Sequence, residues 1–307
     1  MESARNWPDL PRDVAAAIMR RVGAVDVLTS AQYVCTAWRG ICRDPSMWCH
    51  VDMLFPEYDK DFDASLDYGR LCRLAVDLSQ GGLFGIGIDH FADEDLLFYI
   101  AERSSQLKHL ELASCYKISD VALASVAAKI PLLEDLAFSD CNASWRTIEV
   151  LGRCCPLLKM FKLVDCGGDS CRSEDEDARA IAKNMPGLVR LQIYGNTLTN
   201  AGLEAIIDGC PHLESLDLRQ CVNLDLSGHL GKRCAERIKD LRLPDDPTDE
   251  YDYLYGDEYD DSDGSMDDDD SDASMDDDNS DGSMYDDDSD GSMDCDYHIH
   301  YLGPRDV

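Results

Sequence analysis

The chain lacks three features that would place it in the commonest functional classes. No apolar stretch approaches the ~20 residues that a membrane-spanning helix needs, and nothing at the N-terminus resembles a secretory signal. No GxSxG, HExxH or phosphate-cradling glycine loop is present, so we expect neither an enzyme nor a bound cofactor. Basic residues are few, with 28 Lys and Arg against 62 Asp and Glu, so a phosphate-neutralising surface for nucleic acid is not expected.

The acidic excess is concentrated at the C-terminal end of the chain. Residues 245–307 contain 26 of the 62 acidic residues and a single basic residue, Arg305, which leaves a net charge of about −9 for residues 1–244. Like charges in such density repel, so residues 245–307 are predicted to form a disordered acidic tail. Ser265, Ser274 and Ser283 each have Asp three positions on, a pattern that suits acidophilic serine kinases. An unmodified, solubilising tail is the alternative.

Residues 7–48 are predicted to form a bundle of short helices. Pro11 precedes the first helix, Gly23 interrupts the pattern, and Asp26 is placed to cap a second helix. Apolar residues follow at helical spacing, with Val14, Ile18 and Val22 in the first helix and Val27, Leu28, Ala31, Val34 and Cys35 in the second. A unit this small buries little core, so it is expected to lean on the rest of the chain.

These residues resemble an F-box. The landmarks are Leu10-Pro11, Asp13-Val14, Ile18, Asp26-Val27-Leu28, Val34-Cys35, Trp38-Arg39 and Trp48. Thr36-Ala37 departs from the family, which often has a basic residue after the Cys. The resemblance implies a helical domain over residues 6–50 that docks on the Skp adaptor, and through it on a cullin, in a ubiquitin ligase. The residues that it implies for forming or supporting the adaptor face are Leu10, Pro11, Val14, Ile18, Leu28, Val34, Cys35 and Trp38. An unrelated helical cap on a repeat array is the alternative.

The second decisive feature is a repeat. The frame L-x-x-L-x-L-x-x-C/N begins at Leu107, Leu133, Leu158, Leu188, Leu213 and Ile238, at intervals of 26, 25, 30, 25 and 25 residues. Its ninth position holds Cys115, Cys141, Cys166, Asn196, Cys221 and, departing from the pattern, Asp246. Helical segments lie between the frames. Over residues 107–244 the pattern resembles the cysteine-containing leucine-rich repeats, which implies an α/β solenoid of strand–helix units that share one core.

The repeated cysteines are interpreted as structural. In the repeat family the ninth side chain turns inward and satisfies backbone groups between strand and helix, which is the role implied for Cys115, Cys141, Cys166 and Cys221. Cys35, Cys42 and Cys49 follow helical spacing, whereas structural zinc sites usually pair their ligands within a few residues. No metal site is therefore predicted. Because the chain is long and carries no signal, its 14 Cys are expected to be mostly free thiols in the cytosol or nucleus.

Residues 51–106 are predicted to be a linker with an irregular first repeat. Leu71, Leu74, Val76 and Leu78 suggest a strand. A glycine-rich bend is predicted at Gly81, Gly82, Gly85 and Gly87, and a helix over residues 92–100.

Alternate strand residues of the repeats are predicted to be exposed on the concave face, where solenoids commonly hold partners. They are Glu111, Ala113, Ala137, Ser139, Lys162, Val164, Gln192, Tyr194, Asp217, Arg219 and Arg242. The candidate substrate-binding residues among them are Glu111, Lys162, Gln192, Tyr194, Asp217, Arg219 and Arg242. Tyr194 beside Arg219 is the predicted hot spot, because these residue types are enriched in that role.

Two functions are compatible with the sequence. The first is the substrate receptor of a Skp–cullin–F-box ubiquitin ligase, a non-catalytic subunit that binds an unknown protein substrate. The second is a non-degradative interaction module, such as an acidic-tailed chaperone for basic proteins. Removing the tail separates them, because the first predicts that adaptor binding is retained and the second that partner binding is lost.

Overall fold

A computed structural model describes residues 10–55, 63, 65–141, 143–164 and 175–248. This part of the chain forms ten helices and eight strands. The helices are α1 (Arg12–Val22), α2 (Ala24–Thr29), α3 (Thr36–Cys42), α4 (Tyr68–Leu78), α5 (Glu94–Arg103), α6 (Asp120–Ala127), α7 (Trp145–Cys154), α8 (Glu176–Asn184), α9 (Asn200–Gly209) and α10 (His229–Arg237). The strands are β1 (His50–Met53), β2 (Gly85–Ile88), β3 (His109–Ala113), β4 (Asp135–Ser139), β5 (Met160–Val164), β6 (Arg190–Tyr194), β7 (Ser215–Asp217) and β8 (Asp240–Arg242).

The eight strands form one parallel sheet in chain order, and one helix follows each of the first seven strands. Each of the six frames predicted from the sequence contributes one strand, so the predicted solenoid of strand–helix units is confirmed. Corresponding frame positions pair across the sheet, as Leu110, Leu136, Phe161 and Leu191 do in consecutive strands. The fourth and sixth frame positions therefore stack as continuous apolar rows beneath the helices.

These apolar rows carry the core. Phe138 and Phe161 are fully buried, and their rings meet edge to face with centroids 6.2 Å apart. A single cluster of buried side chains runs from Ala15 in α1 to Ile238 before β8. Each repeat thus shares its apolar face with its neighbours, as expected for a unit that cannot bury that face alone.

The N-terminal helices are joined directly to the sheet. Trp48 is buried, and its Nε1 donates a hydrogen bond to the Cys42 carbonyl oxygen over 2.7 Å. The Cys49 carbonyl oxygen accepts from the Phe84 amide at 2.8 Å, which starts the pairing of β1 with β2. The small helical unit therefore shares the core of the solenoid instead of standing apart from it.

The prediction for residues 51–106, a linker with an irregular first repeat, is correct in the repeat and wrong in the linker. The described residues of this region include α4, β2 and α5, and β1 begins at His50, so the solenoid starts upstream of the predicted boundary. The predicted strand over residues 71–78 is helix α4, which buries Tyr68, Cys72, Ala75 and Val76. Those four residues follow the 3.6-residue period, whereas the alternation of Leu74, Val76 and Leu78 matched a strand. The predicted helix over residues 92–100 is confirmed by α5, which Asp93 caps.

Gly85 and Gly87 are also placed differently from the prediction. They lie in strand β2 and not in a bend, whereas Gly81 has a positive φ and does form the turn after α4. The sequence Gly-Ile-Gly-Ile has isoleucines at the alternate, core-facing positions. The two glycines therefore face the opposite, concave side of the sheet.

A ladder of polar side chains joins the starts of successive repeat helices. At each step a side chain near the start of one helix accepts a hydrogen bond from a backbone N–H. That N–H belongs to a residue that lies one to four positions before the start of the next helix. The pairs are Glu94 with Ser119, Asp120 with Ser144, Asp175 with Thr199 and Asn200 with Asp225, at 3.0, 2.9, 2.9 and 2.9 Å. Asp120 and Asp175 also accept the hydroxyl of Ser144 and Thr199. Backbone donors that a helix start leaves unpaired are thus satisfied by the neighbouring repeat.

Replacing Asp120 by alanine is expected to lower the free energy of unfolding by about 2 kcal/mol at pH 7, because hydrogen bonds to a carboxylate are lost. Burial alone would raise the pKa of Asp120, but hydrogen bonds from Ser144 and Thr147 outweigh it, so the pKa lies below its ordinary value of 3.8. The stabilisation is therefore present above pH 3.8 and is lost as the pH falls through the lower pKa of the folded state. Urea unfolding of both proteins from pH 7 to pH 3 measures this.

Asp95 provides the matched control, because it is an exposed acidic residue in the first turn of α5. The Asp95→Ala variant is expected to change the stability by less than about 0.5 kcal/mol. A loss for Asp120→Ala that stayed constant down to pH 3 would contradict a role for the ionised carboxylate.

Among the described residues, no helix is long and apolar enough to cross a membrane.

Candidate functional site

The N-terminal helices expose large apolar side chains. Val14 on α1 is 42% exposed, and Tyr33 and Val34, which lie between α2 and α3, are 66% and 63% exposed. Ile18, one turn after Val14, is half-buried. We refer to Val14, Ile18, Tyr33 and Val34 as the N-terminal apolar surface. Exposed apolar side chains grouped within one small helical unit are typical of a surface that binds a partner.

The α1 helix exposes Val14 because other residues of the helix form its buried face. Ala15 and Met19 are buried, while Val14 and Ile18 lie one position earlier in each turn. Val22 is also exposed. The regularly spaced apolar residues Val14, Ile18 and Val22 therefore lie on the outward side of α1. The smaller Ala15 and the more flexible Met19 pack on the inward side.

The remaining residues predicted for the adaptor face have supporting positions. Leu28 is buried, and Leu10 and Trp38 are half-buried and pack against the core. The Cys35 Sγ accepts a hydrogen bond from the Trp38 amide at 3.4 Å and so caps α3. Pro11 is exposed at the start of α1.

Tyr33 was not predicted from the sequence. The apolar spacing favoured one helix from Val27 to Cys35, but α2 ends at Thr29 and a 3₁₀ turn follows over Ala31–Tyr33. This turn brings Tyr33 and Val34 to the surface next to each other. The sequence has neither Gly nor Pro at the end of α2 that would indicate the break between the helix and the 3₁₀ turn.

An ion pair ties the start of α1 to the end of the helical unit. The Arg12 guanidinium lies 2.7 Å from the Asp44 carboxylate. Hydrogen bonds from Arg12 and Ser46 lower the pKa of Asp44 to about 2. Asp44 also caps the 3₁₀ turn over Pro45–Trp48 through its bond to the Ser46 amide. This ion pair holds the start of α1, and with it Val14, next to the segment that leads into β1.

The concave face of the sheet is less exposed than predicted. Glu111, Ala113, Lys162, Gln192, Tyr194 and Arg242 are half-buried. The prediction of exposure is wrong for Ala137, Ser139, Val164, Asp217 and Arg219, which are buried. Which of the concave residues bind a substrate stays a prediction.

Arg219 and Asp217 form a buried ion pair. The Arg219 Nη2 lies 2.7 Å from Asp217 Oδ2, and its Nε lies 3.0 Å from Oδ1, so the guanidinium binds the carboxylate through two nitrogens. Arg219 Nη1 also donates to the Pro247 carbonyl oxygen at 2.9 Å. With side-chain exposures of 3% and 6%, the pair is part of the structure, and the predicted hot spot of Tyr194 beside an exposed Arg219 is wrong on the exposure of Arg219.

A second ion pair spans three strands. Lys162 Nζ on β5 lies 3.2 Å from Glu111 Oε1 on β3, across the intervening strand β4. Ala137 occupies the paired position on β4, and its small side chain leaves room for the contact. Two candidate substrate-binding residues are thereby joined although they are 51 positions apart in the chain.

The cysteines of the ninth frame position have the predicted inward role where they are described. The Cys115 thiol contacts the Ala113 carbonyl oxygen at 3.1 Å, and the Cys221 thiol contacts that of Ile193 at 3.0 Å. Cys141 contacts the carbonyl oxygens of Leu112 and Ser139. Burial raises the pKa of Cys221 to about 12, so its thiol stays protonated and donates a hydrogen bond.

Three cysteines of the N-terminal unit have separate contacts. Cys35 caps α3, the Cys42 thiol donates to Met19 Sδ, and the Cys49 thiol donates to the Pro45 carbonyl oxygen. Within the described ranges, no three His, Cys, Asp or Glu side chains converge on a point where a metal ion could be held. Cys166 and the predicted phosphorylation sites Ser265, Ser274 and Ser283 lie outside the described residues.

Comparison with known proteins identifies the two parts of the described chain. Residues 7–54 match the F-box-like domain family. The chain is 46% identical to the F-box protein SKIP19 of Arabidopsis thaliana over 78% of each chain. It is 47% identical to F-box/LRR-repeat protein 23 of the same plant over 80% of this chain, and it spans 55% of that relative's length.

One solved structure also resembles the fold. It is the crystal structure of the yeast Rad7 and Elc1 complex, with a TM-score of 0.44 and 18% identity. The match covers 55% of this chain and 44% of the other.

Proposed function

Because the chain belongs to the F-box/leucine-rich-repeat protein family, we propose that it is the substrate receptor of a Skp–cullin–F-box ubiquitin ligase. In this proposal the N-terminal apolar surface binds a Skp-type adaptor, and through it a cullin. The concave face of the repeat sheet binds a protein substrate. We place this activity in the nucleus or cytosol, where the thiols of a cysteine-rich chain stay reduced.

The observation that carries the proposal is the N-terminal apolar surface. Val14, Tyr33 and Val34 expose much of their apolar area, whereas the neighbouring Ala15, Met19 and Ala31 are buried in the core. Leaving such side chains in water has no benefit for an isolated chain, whereas covering them by a partner is favourable by roughly 25 cal/mol per Å². A helical adaptor surface of matching shape would provide that cover.

The continuous core explains how the chain can act without a catalytic group of its own. The helical unit and the first strands share buried side chains, so an adaptor bound at α1 and a substrate bound at the sheet are held in a fixed relation. Holding two reactants in a defined geometry raises their effective concentration by orders of magnitude. The transfer of ubiquitin would be performed by other subunits.

Direct binding of a purified Skp-type adaptor tests the proposal. The full chain is expected to bind with a dissociation constant of about 1 μM or tighter in isothermal titration calorimetry. An absence of binding by the folded full chain would overturn the receptor role.

Removing residues 249–307 distinguishes the receptor function from the alternative, an acidic-tailed chaperone. The receptor proposal predicts that the adaptor affinity of the truncated chain equals that of the full chain within about twofold, because the N-terminal apolar surface is untouched. Binding of a basic protein such as a histone, measured in parallel at low salt, is expected to be lost only if the tail itself holds the partner. A truncated chain that no longer bound the adaptor would contradict the assignment of the interface to α1–α3.

A further inference from the structure

The concave face has a depression at its N-terminal end, where strand β2 carries no side chains on this face. Gly85 and Gly87 are the two concave-facing residues of β2, and the side chains of His50 and Leu54 lean over them from β1. A Cβ atom at Gly85 would lie 2.5 Å from the His50 ring, and one at Gly87 would lie 3.0 Å from Leu54. The two glycines are therefore needed for the close approach of these side chains.

The depression extends from β1 to β5 and has a volume of about 210 Å³. Since one water molecule needs only about 10–15 Å³ of such space, the depression is sufficient for the end of one long side chain. Gly87 and Ala137 form its floor, and Leu54 and Met160 supply apolar walls. Glycine, alanine and two aliphatic side chains together give an apolar surface on which an extended methylene chain can pack.

The polar groups around the depression are carboxylates and imidazoles. Asp52, Glu111 and Asp135 line it together with His50 and His109, and no Lys or Arg of the described chain is among its lining residues. His109 Nδ1 lies 2.6 Å from Asp135 Oδ2, and Lys162 contacts Glu111 from the β5 side. Asp52 is exposed at the rim, where its Oδ1 accepts the Leu54 amide. Around the depression three carboxylates from three different strands therefore face one ammonium group, that of Lys162, which leaves an excess of negative charge.

We propose that this depression, which we call the β2 pocket, binds a Lys or Arg side chain of the substrate. The proposal rests on the proposed function, since it names the chemistry of the segment that the receptor holds. The methylene stem packs on Leu54 and Met160 while the cationic end reaches the carboxylates, as long basic side chains commonly do. An acidic side chain is repelled there, and an apolar one would remove water from the carboxylates without replacing their hydrogen bonds. Arginine fits best, because its planar head donates to two carboxylates at once.

The test is peptide selection by the full chain, carried out with and without a purified Skp-type adaptor. The probes are immobilised 12-residue peptides in matched pairs, each with one Arg in one member and citrulline, its neutral isostere, in the other. The β2 pocket predicts that a subset of Arg peptides is retained at least about tenfold better than the citrulline partners, which is the effect of one charge-assisted contact. Equal retention of both members, or retention of no Arg peptide, overturns the proposal.

Two variants assign the selectivity to the β2 pocket. The Asp52→Asn/Glu111→Gln variant removes two carboxylates and is expected to lose the tenfold preference. Gly87→Val adds bulk against Leu54, which must shift its apolar wall of the depression, without a change in charge, and is expected to give the same loss. Asp240→Asn, at an exposed concave position on β8, is the matched control and is expected to keep the preference. A preference that survives in both pocket variants overturns the proposal.

Adaptor binding is measured in the same samples, and it separates the two hypotheses. A chain that binds the adaptor but shows no Arg preference refutes the β2 pocket and leaves the receptor function in place. A chain that shows the Arg preference without binding the adaptor refutes the receptor function and keeps the pocket as a binding site for basic segments. Retained adaptor binding by the variants also shows that they are folded.

Discussion

The double variant Val14→Asp/Val34→Asp is expected to bind a Skp-type adaptor about 100-fold more weakly than the parent chain. Neither side chain belongs to the buried core, with Val14 42% and Val34 63% exposed, so the substitution leaves the core intact and costs little stability. In the complex each carboxylate would be buried against an apolar partner, and burying an unpaired charge is costly. A 100-fold loss corresponds to about 2.7 kcal/mol, which two such charges readily supply.

Val121→Asp is the control for this prediction. Val121 is 74% exposed on α6 of the solenoid, well away in sequence from the N-terminal apolar surface. The same change of side chain there is expected to leave the adaptor affinity unchanged within about twofold. Calorimetric titration of the three proteins gives the comparison, and urea unfolding confirms that each is folded. Equal affinities for all three would show that the adaptor, if it binds, uses another surface.

The Asp217→Asn variant is expected to lose about 3 kcal/mol of unfolding free energy. The Asp217 carboxylate and the Arg219 guanidinium are almost completely buried and bind each other through two nitrogens. The neutral amide leaves the cation buried without a counter-charge, and removing one partner of a buried pair typically costs 3–5 kcal/mol. The free energy is measured by urea unfolding at pH 7.

Asp240→Asn serves as the control for the buried pair. Asp240 pairs with Ser215 on β7 but is exposed, so its neutralisation is expected to cost less than about 1 kcal/mol. Equal losses for the two variants would contradict a special role for the buried pair. The comparison also bears on substrate binding, because a loss of binding in an Arg219 variant would reflect the disturbed end of the solenoid and not a lost contact with substrate.

The repeat architecture could be predicted from the sequence because its signal is local and periodic. Each frame from Leu107 to Ile238 places two apolar residues on one face of a short strand, and the frame recurs often enough to exclude chance. The same argument failed for residues 71–78, where Leu71, Leu74 and Val76 match the apolar positions of the frame but belong to helix α4. Strand β2 was missed because its two isoleucines alternate with glycines, which suggested a bend.

The candidate adaptor site, too, could be predicted only in part from the sequence. The spacing of Val14 and Ile18 and the pair Val34-Cys35 were visible in the sequence, and these residues lie at or under the N-terminal apolar surface. Tyr33 joined them only through the 3₁₀ turn after α2, which the spacing of apolar residues did not indicate. A short break in helical geometry changes which side chains face water without any change in composition.

The sequence by itself determined the family, the order of its parts and the apolar rows of the solenoid, because a repeated frame specifies one element at a time. Only the tertiary structure decided which concave residues are accessible. The contact of Glu111 with Lys162 depends on the small Ala137 between them, and the burial of Arg219 depends on Asp217 and Pro247. The β2 pocket likewise exists only because two glycines lie between side chains of neighbouring strands. Such contacts join residues that are distant in the chain, and a periodic pattern carries no information about them.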